Sequence, residues 1–142
     1  MRQIVAPGFV MGLRCKIVPP GMHELSIAIS LVEVAAEEQA RLGGLPVLAV
    51  YVRVGALSGV EPEALTFAFD VATADTPLAG ARLEIETVPV EIFCDACGVT
   101  RTVPSVQHLR CPTCDAPALQ VTGGRDLALT ALEVDDRVSA NR

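Results

Sequence analysis

The chain has 142 residues, of which 51% are apolar, and a formal net charge of −6. This length predicts one domain, or one domain with a small additional module. The acidic balance argues against a nucleic-acid backbone or an anionic membrane as the main partner, because binding phosphates requires a basic surface. No apolar run approaches the length that spans a bilayer.

The first 21 residues, MRQIVAPGFVMGLRCKIVPPG, form a leader before the patterned part of the chain. Proline and glycine interrupt its weak apolar stretch, and it has no small-x-small cleavage site, so secretion is not predicted. All three methionines, Met1, Met11 and Met22, lie in the first 22 residues, and each could be a start. We expect residues 1–21 to be a disordered extension that arises from a misplaced start or from cloning.

In chain order, the pattern is helix, strand, helix, strand, module, strand. Apolar residues recur at helical spacing from Leu25, including Ile29, and Gly43-Gly44 ends this first helix. Alternating apolar residues in LPVLAVYVRV (45–54) predict a strand with one buried face. Pro62 suits the first position of a second helix, whose apolar stripe begins at Leu65.

Two further strands complete the predicted sheet. ARLEIETVPV (81–90) alternates apolar and charged residues, and DLALTALEV (126–134) follows the turn at Gly123-Gly124. We expect an α+β fold in which two helices pack on one face of a small three-stranded sheet. Residues 22–90 and 123–134 form this domain, residues 91–122 form an inserted module, and residues 135–142 form a flexible tail.

The inserted module carries two Cys-x-x-Cys pairs, CDAC at 94–97 and CPTC at 111–114. In a reducing cytoplasm, where we expect the protein to reside, such pairs indicate a metal or redox site. Two pairs favour zinc, which takes four thiolates at tetrahedral angles. About 30 residues with few apolar ones could not fold on burial alone, so the metal would supply free energy of folding. We expect a positive φ angle at Gly98 and at Asp115, which follow the two pairs.

Alternatives to a structural zinc site stay open at this point. They are redox chemistry by one cysteine pair, a zinc ribbon that binds protein or RNA, and a zinc enzyme. A closed four-thiolate shell leaves no position for catalysis, and residues 91–122 carry more acidic than basic side chains. His108 is interpreted as a surface loop residue, an alternative ligand or a pH-sensitive neighbour, while Cys15 lies in the leader.

The triplet Met22-His23-Glu24 directly precedes the first helix. If Met22 were the N-terminus, its amine, the His23 amide and imidazole, and a further nitrogen from Glu24 could surround a metal. Four nitrogens in a plane suit Ni(II) or Cu(II). Within a longer chain the amine is lost, and a His-Glu pair at a helix start more commonly serves capping and first-turn electrostatics.

The stretches MHELSIAISLVE, VRVGALSGVEPEALTFAFD, GARLEIETVPV, CDACG, CPTC and LALTALEV cover essentially all of 22–134 in order. Through them the chain resembles the HypA/HybF family of nickel metallochaperones for maturation of nickel–iron hydrogenase. The resemblance implies a chaperone and not an enzyme, with a structural Zn²⁺ and a transported Ni²⁺. It places nickel at Met22, His23 and Glu24, and zinc at Cys94, Cys97, Cys111 and Cys114.

The same resemblance implies partners: a HypB-type GTPase, the hydrogenase large subunit and, for some members, urease accessory proteins. A homodimer stays open. Glu61 stands where the family often has an acidic residue near the nickel region. Two departures are the leader before Met22, which would remove the amine ligand, and Asp115, which replaces the glycine usual after the last cysteine.

Overall fold

The computed structural model describes residues 2–5 and 24–135. Its elements are β1 Arg2–Val5, α1 Glu24–Arg41, β2 Val47–Gly55, α2 Pro62–Thr73, β3 Arg82–Val88, β4 Val90–Cys94, β5 Val99–Val103, β6 Gln120–Gly123 and β7 Leu127–Asp135. The strands form a four-stranded sheet, β1-β7-β2-β3, and a three-stranded sheet, β5-β4-β6. The predicted α+β class, with two helices and small sheets, is confirmed.

The two helices share one aliphatic core with the four-stranded sheet. Strand β2 lies between β7, to which it is antiparallel, and β3, to which it is parallel. Its alternate residues Val50, Val52 and Val54 are buried, as the period-two pattern predicted. They join residues of α1, α2 and β7 in a single cluster in which Phe69 is the aromatic member.

The buried face of helix α1 is displaced around the helix from its predicted stripe. Leu25 and Ile29, which were assigned to that stripe, are each 46% exposed, whereas Ile27 and Leu31 are buried. The reason is that α1 packs against α2 as well as facing the shared core. The buried set also includes Gln39 near the end of the helix, whose side-chain amide donates to the Leu45 carbonyl at 2.9 Å.

The main sheet has four strands and not the predicted three. The leader was expected to be disordered, yet Arg2–Val5 form β1, antiparallel to β7 with Ile4 opposite Glu133. Without β1, this side of β7 would be a sheet edge with unpaired backbone groups, which a short extended segment can satisfy. Met22, His23, Cys15 and the expected tail beyond Asp135 lie outside the described residues.

The predicted strand over 81–90 is divided into two strands by Pro89. Proline has no amide hydrogen and cannot donate to a sheet ladder. Strand β3 therefore ends at Val88, and the chain resumes at Val90 as β4 in the second sheet. That sheet extends to Gly123, whereas the module was expected to occupy 91–122.

The two sheets meet where three backbone segments cross, at Gly55, Pro89 and Gly124. A Cβ on Gly55 would lie 2.3 Å from the Gly124 carbonyl oxygen, and a Cβ on Gly124 would lie 2.9 Å from the Val90 Cα. The Leu57 amide donates to the Gly124 carbonyl at 2.7 Å. Only glycine permits this approach, so the crossing determines where the module attaches to the main sheet.

Substitution Gly124→Ala is expected to destabilise this crossing. Gly124 has φ +97°, and Gly80 has φ +86° but open space where its Cβ would lie. Gly80→Ala should therefore lower the free energy of unfolding by about 1–2 kcal/mol, the cost of a left-handed alanine. Gly124→Ala should cost about 1–3 kcal/mol more, because the Val90 backbone must also move. Urea unfolding of both variants measures the difference, and equal losses would show that the crossing is not tight.

Candidate metal centre

The two cysteine pairs form the same kind of turn. The Gly98 amide donates to the Cys94 carbonyl at 2.7 Å, and the Asp115 amide donates to the Cys111 carbonyl at 2.9 Å. Both closing residues have positive φ angles, +72° at Gly98 and +61° at Asp115, as predicted. Aspartate tolerates this conformation better than most residues, so the turn forms there without glycine.

A different piece of chain supports each turn. Cys94 is the last residue of β4, and β5 begins at Val99, so the first turn is the tip of a hairpin. The second turn ends a short ribbon in which the Cys111 amide donates to the Ala116 carbonyl at 2.9 Å. The Arg110 guanidinium donates to the Asp115 carbonyl at 3.0 Å. Contacts within each turn therefore fix its shape, and the two tips meet at one place.

The four cysteine sulfurs converge at that place. The Sγ atoms of Cys94 and Cys114 are 3.5 Å apart, and those of Cys97 and Cys111 are 3.9 Å apart. All four lie within 4.8 Å of one another. Four sulfurs that each lie about 2.3 Å from a tetrahedral zinc ion would be about 3.8 Å apart. The donor set and its spacing thus fit a zinc ion.

The ligand turns favour one thiolate over another before any metal binds. The Cys114 amide, and to a smaller extent the Thr113 amide, lowers the pKa of Cys111 to about 6, because each donates a hydrogen bond to its thiolate. The sulfurs of Cys94 and Cys97 raise the pKa of Cys114 to about 12, although the Ala116 amide acts in the opposite direction. The site thus favours the thiolate at Cys111 and disfavours it at Cys114, and a metal cation would be needed to hold both as thiolates.

The cluster is also part of the module's small core. Cys94 and Cys111 are each 2% exposed and pack with buried Val90, Ile92 and Val103. Cys114 is exposed and Cys97 is intermediate. One side of the cluster is thus closed by aliphatic side chains, and the side of Cys114 faces solvent.

The sequence did not indicate Arg101 as a neighbour of this cluster. Its Nε atom is buried and has no hydrogen-bond partner within ordinary limits. The nearby sulfurs, Cys97 first and then Cys111, raise the pKa of Arg101 against the effect of burial. The alternation Val99, Arg101, Val103 in β5 could have shown that Arg101 shares a strand face with buried Val103.

The structure describes the other candidate residues only in part. Glu24 is the first residue of α1 and is half-buried, whereas Met22 and His23 lie outside the described residues. Glu61 is the N-cap residue of α2 but makes no side-chain capping bond. His108 is exposed in the loop between β5 and the second turn. Among described residues, the group of ligand atoms close enough to hold a metal consists of the four cysteines.

Neither helix in the described ranges is long and apolar enough to cross a membrane. Helix α1 has 18 residues, and its sequence, ELSIAISLVEVAAEEQAR, contains four glutamates and one arginine.

Known proteins resemble both the sequence and the fold. Residues 22–134 match the family described as hydrogenase/urease nickel incorporation, metallochaperone, hypA. The chain is 50% identical over 115 residues to hydrogenase maturation factor HypA of Roseiflexus sp. (strain RS-1), covering 81% of this chain and 94% of that relative. It is 48% identical over 112 residues to the protein of the same name from Chloroflexus aggregans (strain MD-66 / DSM 9485), covering 79% and 98%.

The solution structure of the Ni metallochaperone HypA from Helicobacter pylori has the same fold, with a TM-score of 0.58 at 24% identity over 80% of this chain and 97% of that chain. A second HypA solution structure gives a TM-score of 0.60 at 23% identity. The family match spans both helices and all four clustered cysteines. The chain belongs to the HypA family of metallochaperones for nickel incorporation into hydrogenase and urease.

Proposed function

We propose that this protein binds Ni(II) at Met22, His23 and Glu24 and delivers it for maturation of nickel–iron hydrogenase or urease. The observation that carries the proposal is the family match, which begins at Met22 and continues to residue 134. Nickel is the cargo. The four cysteines hold a separate zinc ion that stabilises the module.

The chemistry of the triplet supports nickel as the cargo. An N-terminal amine, a deprotonated amide and an imidazole supply the nitrogen donors of a planar site, which Ni(II) accepts and zinc does not favour. Glu24 opens α1, so Met22 and His23 stand immediately before the first helical turn. The amine is free only when Met22 is the N-terminus; in the longer chain the same nitrogen belongs to a peptide bond.

A structural role for zinc follows from its closed shell. Four thiolates complete the tetrahedron, so substrate or water has no coordination position, and we assign the module no catalysis. An RNA-binding role is disfavoured because residues 91–122 contain two arginines and no lysine. Arg110 contacts the second cysteine turn, and Arg101 lies by the cluster.

We further propose that the protein acts in the cytoplasm with a HypB-type GTPase and with the hydrogenase large subunit, or with urease accessory proteins. A homodimer would present two nickel ends. These assignments rest on membership of the family, whose description names hydrogenase and urease nickel incorporation.

Replacement of His23 should weaken nickel binding. In protein that begins at Met22, His23→Ala removes the imidazole and the donor set becomes incomplete, so affinity for Ni(II) should fall by at least about tenfold, or roughly 1.4 kcal/mol. Calorimetric titration with nickel measures this change. The full-length chain, which lacks a free amine at Met22, should bind more weakly than the short form.

The matched control for this experiment is His108→Ala, since the chain has two histidines. It should leave nickel affinity of the short form unchanged. The nickel assignment fails if His23→Ala binds as well as the unchanged short form, or if His108→Ala alone weakens binding.

Replacement of one clustered cysteine should remove zinc and unfold the module. Cys111→Ser deletes a buried ligand, and its effect on zinc affinity should exceed the roughly 10–100-fold typical of losing a hydrogen-bonding neighbour of a ligand. Metal analysis after dialysis should show less than one zinc per chain. Amide exchange should rise throughout β4, β5 and β6 and remain slow in β2, because the two cores are separate clusters.

Cys15→Ser is the control, since Cys15 is not one of the four assigned ligands and the variant should retain one zinc per chain. A Cys111→Ser variant that retained its zinc and its slow module exchange would show that the site is not the one assigned.

A further inference from the structure

We propose that Arg101 binds the zinc-bound thiolates of Cys97 and Cys111 through N–H donors and thereby slows the loss of zinc. This role rests on the proposed zinc site. It makes Arg101 a positioning residue for the metal centre, acting through the ligands and not on the ion.

The first argument is the position of Arg101 in the module. Strand β5 pairs with β4 so that Arg101 lies opposite Ile92, and Val103 lies opposite Val90. Paired residues of antiparallel strands share a face of the sheet. Ile92, Val90 and Val103 are all buried in the core that includes Cys94 and Cys111. A guanidinium group thus projects from the apolar face of β5 toward the cysteine cluster.

The second argument is that Arg101 has a buried N–H donor without an acceptor. The Nε atom of Arg101 is buried and without a partner within ordinary hydrogen-bond limits, and a buried donor is costly unless it finds an acceptor. Cys111 lies in the same small core as Ile92 and Val103, and Cys97 packs against that core, so their sulfurs are the acceptors on this face. The guanidinium presents several N–H groups in a fixed plane, so one side chain can serve two sulfurs.

The third argument is charge. Four thiolates on one dication carry about −2 in a partly buried place. One arginine beside the cluster halves that charge. The proposed contacts are also asymmetric, because they involve Cys97 and Cys111, while Cys114 is exposed. Zinc should therefore be lost by opening first at Cys114 and last at the pair that Arg101 contacts.

The test uses full-length, zinc-loaded protein with Arg101→Gln, Arg101→Lys and the control Arg53→Gln. Arg53 pairs with Glu86 on the outer face of the main sheet, at 3.2 Å, so its replacement removes the same charge away from the cysteines. Zinc transfer to excess chelator at fixed pH measures dissociation. Arg101→Gln should lose zinc about 10-fold faster, as for other neighbours of metal ligands. Arg101→Lys should be intermediate, and Arg53→Gln should match the unchanged protein.

A second readout separates this role from loosening of the module. Brief treatment with N-ethylmaleimide, followed by mass mapping, gives the rate at each cysteine. Loss of donated hydrogen bonds should raise the rate at Cys97 relative to Cys114 severalfold, with Arg101→Lys partly restoring the original ratio. An equal rise at all four cysteines would mean that the module had only loosened, and the proposal would be overturned.

The outcomes also distinguish the zinc assignment from the proposed role of Arg101. If the unchanged protein holds no zinc, the zinc assignment itself fails. If it holds zinc and Arg101→Gln releases it at the unchanged rate, the zinc assignment stands and the role of Arg101 fails. Should Arg101→Gln not fold, Arg101→Lys decides: unchanged zinc release and an unchanged Cys97 to Cys114 ratio would overturn the proposal.

Discussion

The convergence of four sulfurs within 4.8 Å is the constraint on which the module depends. The buried core of this part of the chain consists of three aliphatic residues and two of the cysteines, Val90, Ile92, Cys94, Val103 and Cys111. Burial and ligation are thus not independent contributions to the stability of the module, because two of the residues that pack in its core are also metal ligands. Without a cation, thiols in contact resist ionising together, in keeping with the lowered pKa of Cys111 and the raised pKa of Cys114. A metal removes that conflict and completes the core.

The main domain does not share this dependence. Its core of valine, leucine and alanine from α1, α2, β2 and β7 is continuous and contains no cysteine among the described residues. The two cores are joined at the crossing of Gly55, Pro89 and Gly124, where backbone segments approach closely and Leu57 packs against the module core. Such a junction fixes the direction of the module without requiring that both parts fold together. Metal at the cysteines should accordingly act on the module and leave the helices intact.

Local patterns in the sequence were sufficient to predict the structure where the interactions that determine it are local. The spacing of the cysteines indicated the cluster, and the positive φ angles at Gly98 and Asp115 followed from the turn that each pair requires. Pro89 is a local cause for the division of the predicted strand. The alternation of apolar residues conceals it, because that alternation continues across the proline. Pairing of Arg2–Val5 with β7 could not be predicted from either segment, since nothing in a four-residue stretch specifies a partner more than a hundred residues away. The same limit applies to Arg101, whose neighbours come from two separate turns.

The two proposed metal sites differ in what each must do with its ion, and their donors differ accordingly. Cys94 and Cys111 are almost fully buried, and soft thiolates in a closed shell favour retention of zinc. The proposed site at Met22-His23-Glu24 would offer nitrogen donors next to the first residue of α1, from which an ion could leave without unfolding a core. Nickel that competed for the cysteines would be trapped, and zinc that occupied the triplet would block the cargo site. Nitrogen in a plane and sulfur in a tetrahedron select different ions by geometry as well as by softness. Under the proposed function, that separation would allow one small protein to keep one metal and deliver the other.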